Sequence, residues 1–409
     1  MKPSLPDPER RTRIACALKN ADLDAVVCSA PSDVLLLSGY WPVIGNALAL
    51  ATRDGGVTVL APEDERQLAE AGNADSVHGF QPGSLHQLES NVEAVQAALR
   101  PIAAELGLAG QRIGYAAHAR SQPVTYAALY QYAADIAEII RHAFNTEPTA
   151  ADELLAALRA QLTPAETANL RTACNVTEQA FVSGVQHIRP GITEAELAGL
   201  IGIPLASADT QRAYGFVFCM SGANAAQAYR AYAQSSQSAL AAGDLLLVHC
   251  NSCVGGLWTD ITRTFCLGEP DRRQRDMYQA VFEARAAAFA AIRPGAAAAE
   301  VDQAAREVLQ AHGFGPQFKH ATGHGVGFAA INGHAHPRIH PQSPDVLEAG
   351  MVFNVEPAIY IEGYGGLRHC DMVSVTESGY ELLTPFQCSL EQLTITATPA
   401  KRMAEAAAR

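Results

Sequence analysis

Leu240-Ala-Ala-Gly-Asp-Leu-Leu-Leu-Val-His249 and Leu347-Glu-Ala-Gly-Met-Val-Phe-Asn-Val-Glu356 lie 107 residues apart and are two versions of one pattern. Each runs from a Leu through an Ala-Gly turn and an apolar run to a closing Val. The residue after that Val is His249 in the first copy and Glu356 in the second. An upstream echo returns at an offset of 104: Ile188-Arg-Pro-Gly191 precedes Thr193-Glu-Ala-Glu196, and Ile292-Arg-Pro-Gly295 precedes Ala299-Glu300-Val301. A duplication of this length within one domain predicts two half-domains about a pseudo-dyad. Matching strands across such an axis can aim two metal-competent side chains at one point, so the repeat directs attention to a metal or hydrolytic centre.

The chain has 409 residues, room for about two to three domains and a sizeable core. A hydrophobic content of 48% against 17% charged is that of a folded globular protein. The formal net charge is −13 and no long Lys/Arg run occurs, which argues against nucleic acid or an anionic membrane as partner, since both need a basic footprint. No apolar run reaches the roughly 18 to 20 residues that cross a bilayer. Met1-Lys-Pro-Ser-Leu-Pro-Asp-Pro-Glu-Arg-Arg11 lacks the apolar stretch of a secretory signal after its charges. Nine cysteines without a regular framework suit a reducing compartment, so a cytoplasmic protein is expected.

Residues 12 to about 145 read as alternating helix and strand, an α/β pattern. Arg11–Lys19 is amphipathic, Ala25–Cys28 reads as a buried strand, and Val34–Leu37 is a further apolar run. Ala47–Thr52 and Gly56–Leu60 flank an Asp54-Gly-Gly turn as a hairpin does. The pattern breaks near Asn145-Thr-Glu-Pro148, which places an N-terminal domain at 1–150, a second domain at 151–398 and a tail at 399–409. In the second domain Thr163-Pro-Ala-Glu166 starts a helix that stops before Pro190-Gly191. Helices over about 271–292 and up to about 312 repeat that design, and strands dominate 213–220, 244–250, 261–266 and 351–384.

Four segments of the second domain carry residues fit for chemistry. Asp244 to Thr264 forms a hairpin with His249 and Asp260 on adjacent strands. His320-Ala-Thr-Gly-His-Gly-Val-Gly327 surrounds His324 with glycines that let backbone approach closely. Asn354-Val-Glu-Pro-Ala-Ile-Tyr360 and Gly365-Gly-Leu-Arg-His-Cys-Asp371 follow. Glu356 lies in an apolar setting, where a carboxylate without a partner is costly. Cys250-Asn-Ser-Cys253 has CxxC spacing but no second pair, and reads as structural. His320 and His324 are four apart, yet the intervening glycines argue against a helix, so His320 reads as lining the pocket.

Asp-Ile-Thr-Arg-Thr at 260–264, Gly-His-Gly-Val-Gly at 323–327 and Val-Glu-Pro-Ala-Ile-Tyr at 355–360, in that order, resemble the aminopeptidase P, prolidase, creatinase and methionine aminopeptidase superfamily. The resemblance extends to residues 1–145, similar to the smaller N-terminal domain of creatinase and prolidase members. It implies an α/β (α+β) chain with a duplicated "pita-bread" catalytic domain. Metal-dependent members hold two ions with Asp, Asp, His, Glu and Glu. The positions matching those ligands are His249, Asp260, His324, Glu356 and Cys370, so three ligand types are kept and two are changed. A proton-shuttling His of many members falls near Tyr229, and another His falls on Ile331, with His334 or His336 available for that space.

Imidazole and thiol in place of two carboxylates favour Zn²⁺ or Fe²⁺ over harder Mn²⁺-like ions, with Mn²⁺ or Co²⁺ as further candidates. They also remove negative charge that two close ions would need, which points to one divalent metal ion rather than two. Water bound to it becomes a nucleophile near neutral pH. Glu356 then serves as ligand or base, Arg368 anchors a substrate carboxylate, and Tyr229 donates to a developing oxyanion. His334 joins them as a catalytic candidate, and His320 and His336 as substrate-binding candidates.

Resemblance and residues together lead first to hydrolysis of a C–N bond in a small peptide or small amide, as in Xaa-Pro aminopeptidases and dipeptidases. A creatinase-like amidinohydrolase or lyase without metal is the second reading, and an inactive binding protein the third. Gly39-Tyr-Trp41 reads as core or interface, a region that can edge the partner's pocket in dimeric relatives, and a homodimer is expected.

Overall fold

In the computed structural model, residues 7–43, 45–81, 90–117, 135–207, 214–230, 233–328 and 335–396 are described. The chain divides into two compact units, Met1–Arg159 and Ala160–Arg409. No helix among the described residues is long and apolar enough to cross a membrane.

The first unit is built on a six-stranded mixed sheet in the spatial order 76–80, 57–62, 48–52, 25–28, 113–115, 149–150. The expected hairpin is present, with Leu48 opposite Leu60 and Ala51 opposite Val57. One face buries Val27, Leu48, Leu50 and Leu60 against Val95, Leu99, Ile139 and Phe144 of the helices Asn91–Glu105 and Asp135–Phe144. The apolar run Val34–Leu37 lies in a helix, Pro31–Ser38. Pro31 supplies the first turn and Gly39, at φ +69°, ends it. Tyr40 and Trp41 are buried, and the Tyr40 hydroxyl donates to Glu65 at 2.6 Å.

The second unit displays the duplication. Helix Pro164–Val185 begins at a Thr163/Glu166 capping box, and helix Arg272–Ala291 at an Asp271/Gln274 box. Each is followed by a Pro-Gly turn and a second helix, Glu194–Ser207 or Ala298–Ala311. The turns are tied alike: the Gly191 N–H reaches Leu240 O at 2.9 Å, and the Gly295 N–H reaches Leu347 O at 2.8 Å. The Leu240 and Leu347 N–H groups return to Ile192 O and Ala296 O at 2.8 and 2.9 Å. Gly243 and Gly350, the glycines of the repeated Ala-Gly turns, have φ of +89° and +86°.

The first half's sheet runs 394–395, 261–267, 245–254, 214–221, with 257–258 paired beside 245–254. The second half contributes 352–355, 371–375 and 380–382, together with the hairpin 358–361/365–368. Bridges Thr262↔Cys370 and Trp258↔Gly327 stitch the halves together. The first bridge sets the end of one half's strand beside the end of the other's, at the point where the candidate residues gather.

Candidate metal centre

In the hairpin 245–254/261–267, Thr262 is directly opposite His249, and Asp260 immediately precedes the second strand. Opposed residues share a face of the sheet, and His249 Nδ1 accordingly meets the Thr262 hydroxyl at 2.9 Å and Asp260 Oδ1 at 3.8 Å. Burial and the nearby Arg368 push the His249 imidazole down to about 4, so it is neutral at pH 7. A neutral imidazole keeps a lone pair for a metal.

His324 comes from the opposite half. Its Nδ1 is 3.0 Å from the carbonyl of Gly325, which sets Nδ1 as the protonated nitrogen and leaves Nε2 as the acceptor. Nε2 is 3.5 Å from Asp260 Oδ2 and 3.3 Å from the Asn354 amide nitrogen. The glycines beside it are required by packing. A Cβ on Gly323 would meet Asn354 O at 1.8 Å, and one on Gly325 would meet His336 O at 2.1 Å. The Asn354 Oδ1 also accepts the His324 N–H at 2.7 Å.

Glu356 and Cys370 complete the cluster. One ligand atom each from Asp260, Glu356 and Cys370 lies within 4.8 Å of the others. Burial raises the Glu356 carboxyl against the lowering pull of Arg368, whose Nε is 3.8 Å from Oε2. The Cys370 Sγ donates to Asp260 O at 3.2 Å, and burial followed by Asp260 and Glu356 pushes its thiol well up. A divalent ion reverses that preference by stabilising thiolate and carboxylate together. Three ligand-competent groups in this compass, with the His324 Nε2 beside them, fit one ion. His249 adjoins the set at Asp260.

Around the cluster, the Arg368 Nε donates to Thr262 Oγ1 at 3.0 Å and its Nη1 to the Tyr360 hydroxyl at 3.5 Å. The His320 Nε2 is 2.9 Å from that same hydroxyl. Burial and Arg368 hold His320 down to about 4, and burial lifts Tyr360 to about 12, so both are neutral at pH 7. Tyr229 lies at the rim, 36% exposed, its ring 5.3 Å from that of Tyr360. Its hydroxyl accepts from Arg230 Nε at 3.1 Å.

His336 faces elsewhere, its Nδ1 3.0 Å from Asp345 Oδ2, a carboxylate that Arg338 also grips. His334 and Ile331 fall outside the described residues. Cys250 and Cys253 are buried and three apart on one strand, so they face opposite sides of it.

Behind the cluster, burial opposes the charge of Asp371, but Arg263, His369 and Arg285 hold it well below the usual carboxylate range. Arg263 and Arg285 lie at 2.7 and 2.5 Å from its two oxygens. This buried ion cluster fixes the strand 371–375 and thereby the preceding Cys370. His369, Asp371 and Cys388 are close enough to ligate, but two guanidiniums already neutralise the carboxylate. Thr262 and Tyr360 were not legible as site residues. Tyr360 was inside a quoted motif, while the role of Thr262 depends on its register with His249.

Residues 168–377 match the model of metallopeptidase family M24, and residues 10–161 match the creatinase/prolidase N-terminal domain. The first match covers more than half the chain, which therefore belongs to metallopeptidase family M24, a hydrolase class with the pita-bread fold. Xaa-Pro dipeptidase of Pyrococcus horikoshii is 25% identical over 92% of this chain and 97% of its own length. That of Pyrococcus furiosus is 33% identical, over 57% of this chain and 65% of the relative. The crystal structure of the Pyrococcus horikoshii prolidase superposes with a TM-score of 0.74, at 25% identity, covering 92% of this chain and 98% of that one.

Proposed function

We propose that this chain hydrolyses the peptide bond of small Xaa-Pro-type peptides with one divalent ion, zinc or iron in preference to manganese or cobalt. The observation that supports it is the meeting of Asp260, Glu356 and Cys370 within 4.8 Å, with the His324 Nε2 3.5 Å from Asp260. Asp260, Glu356, Cys370 and His324 would hold the ion, and His249 would adjoin it. When bound, such an ion supplies Lewis acidity and lowers the pKa of water. Asp260, Glu356 and a Cys370 thiolate would bring three negative charges against the one positive charge of Arg368, so a single dication is better neutralised than two.

The remaining roles belong to the chain itself. Where an Oε atom of Glu356 is left free of the ion, it takes the proton of the attacking water and returns it to the leaving nitrogen. The Tyr360 O–H donates to His320 Nε2, because the His320 Nδ1–H is taken by the Ala321 carbonyl. Tyr360 thus orients His320 and Arg368, and the Tyr229 hydroxyl is left to donate to a developing oxyanion. Tyr229 sits at the entrance with its ring tilted against that of Tyr360, and Arg368 offers its remaining donors to a peptide carboxylate.

The test is a panel of Xaa-Pro dipeptides and small amides, assayed with the metal-depleted chain and after addition of Zn²⁺, Fe²⁺, Mn²⁺ or Co²⁺. Turnover of Xaa-Pro dipeptides that vanishes on chelation and returns with one equivalent of metal is expected. Undiminished turnover after exhaustive chelation contradicts the reading and favours a creatinase-like reaction.

A further inference from the structure

We infer that Asn251 is an additional donor to the ion at Asp260, through its Oδ1; this rests on the metal-dependent reading above. The hairpin register pairs His249 with Thr262, Cys250 with Ile261 and Cys253 with Trp258. Between them the Thr259 N–H reaches Ser252 O at 2.8 Å, so the register is unbroken and sets Asn251 directly opposite Asp260. Asn251 shares its strand face with His249, whose Nδ1 is 3.8 Å from Asp260. The amide thus lies on the sheet face of the carboxylate around which the other candidate ligands gather.

Asn251 is fully buried, and neither Oδ1 nor Nδ2 has a hydrogen-bond partner among the described residues. Leaving a buried amide unpaired is costly, and native structures rarely do so without cause. The cross-strand neighbour on its other side is Phe216. The Phe216 ring stacks on Phe218, which stacks on His249, so that side offers aromatic rings. Ser252, the next residue and on the opposite face, is by contrast satisfied by Thr177 at 2.5 Å and Thr259 at 2.7 Å. The shortfall is therefore confined to the face that carries Asp260.

Burial also selects among partners. A peptide group cannot reach a side chain that solvent does not touch, whereas a bare cation needs only the space between opposed donors. A carboxamide oxygen is a neutral, hard donor of the kind that divalent ions accept. It raises the coordination number without restoring the negative charge lost at His249, which agrees with a single ion.

The parent chain, Asn251→Leu and Asn251→Asp are compared by chelator competition with Zn²⁺ and with Mn²⁺, in the absence of any substrate. The Leu variant is expected to bind the ion about ten- to a hundredfold more weakly. Its metal-free Tm should equal or exceed that of the parent, because an unpaired buried amide has been removed. The Asp variant, which retains the oxygen donor, is expected to bind at least as tightly as the parent, and serves if the Leu variant does not fold. Parental affinity in the Leu variant, or weaker binding in the Asp variant, overturns the assignment. A purely structural Asn251 would give the reverse pattern, a lowered metal-free Tm with an unchanged dissociation constant. Failure of the parent to take up either ion defeats the metal-dependent reading itself, and that is seen before any variant is made.

Discussion

In the first half of the duplicated unit, the Ala242-Gly243 turn leads through an apolar strand to His249; in the second, Ala349-Gly350 leads to Glu356. The frames are alike down to the paired hydrogen bonds at Gly191 and Gly295. What they carry differs: the first half supplies Asp260 as its one carboxylate beside a neutral imidazole, while the second supplies Glu356, His324, Arg368 and Cys370. A repeated backbone sets positions, and substitution at those positions then sets charge and ligand type. Chemistry here is asymmetric on a symmetric support.

The largest expected effect follows from that asymmetry. Asp260 is the residue that His249, His324 and Cys370 all approach. Asp260→Ala should lower kcat/KM for an Xaa-Pro dipeptide by about a thousandfold, whereas His249→Ala should cost only about ten- to a hundredfold. Equal losses in the two variants would break the view that the first half acts mainly through its carboxylate.

Each half also buries an acid that latches a site-bearing segment by accepting backbone N–H groups. Glu194 accepts the Ser221 and Ser236 N–H groups at 2.6 and 2.8 Å, which flank Tyr229 in the chain. Asp302 accepts the Thr322 N–H and hydroxyl, each at 2.9 Å, two residues before His324. Glu194→Gln and Asp302→Asn should each lower unfolding stability by about 1–3 kcal/mol in urea. Because Asp302 supports the loop of a metal-ligand candidate and Glu194 supports a rim residue, kcat should fall further in Asp302→Asn. The opposite order would sharpen the comparison in favour of Tyr229.

A smaller effect belongs to Asp345, which lies next to the second copy of the repeat. Burial works against its charge, but Arg338 and then His336 hold its carboxyl down to about 2. The unfolded chain binds more protons here between about 3.9 and about 2, so this contribution is complete above that window and disappears as pH falls through it. Asp345→Asn should therefore narrow its stability gap to the parent by about 2 kcal/mol or less between pH 5 and pH 2. An unchanged gap in denaturant titrations at the two pH values would contradict the ion pair.

Much of this was legible in the sequence, because the turn, the apolar run and the Pro-Gly stops are local and recur at fixed offsets. The convergence of Asp260, His324, Glu356 and Cys370 could be expected from the repeat together with the family motifs. Val34–Leu37 was ambiguous because four apolar residues suit a strand or a buried helix equally, and Pro31 decides for helix. Thr262, Tyr360 and Asn251 gain their meaning from cross-strand register or burial, which no single segment reveals. Proximity in sequence points to His336, yet its imidazole is turned to Asp345, a partner nine residues away.

Zinc-edge anomalous diffraction from crystals of the metal-loaded chain tests the central claim most directly. One peak per chain is expected, within about 2.0–2.3 Å of ligand atoms from Asp260, His324, Glu356 and Cys370. Two peaks, or none at that position after loading, would contradict it.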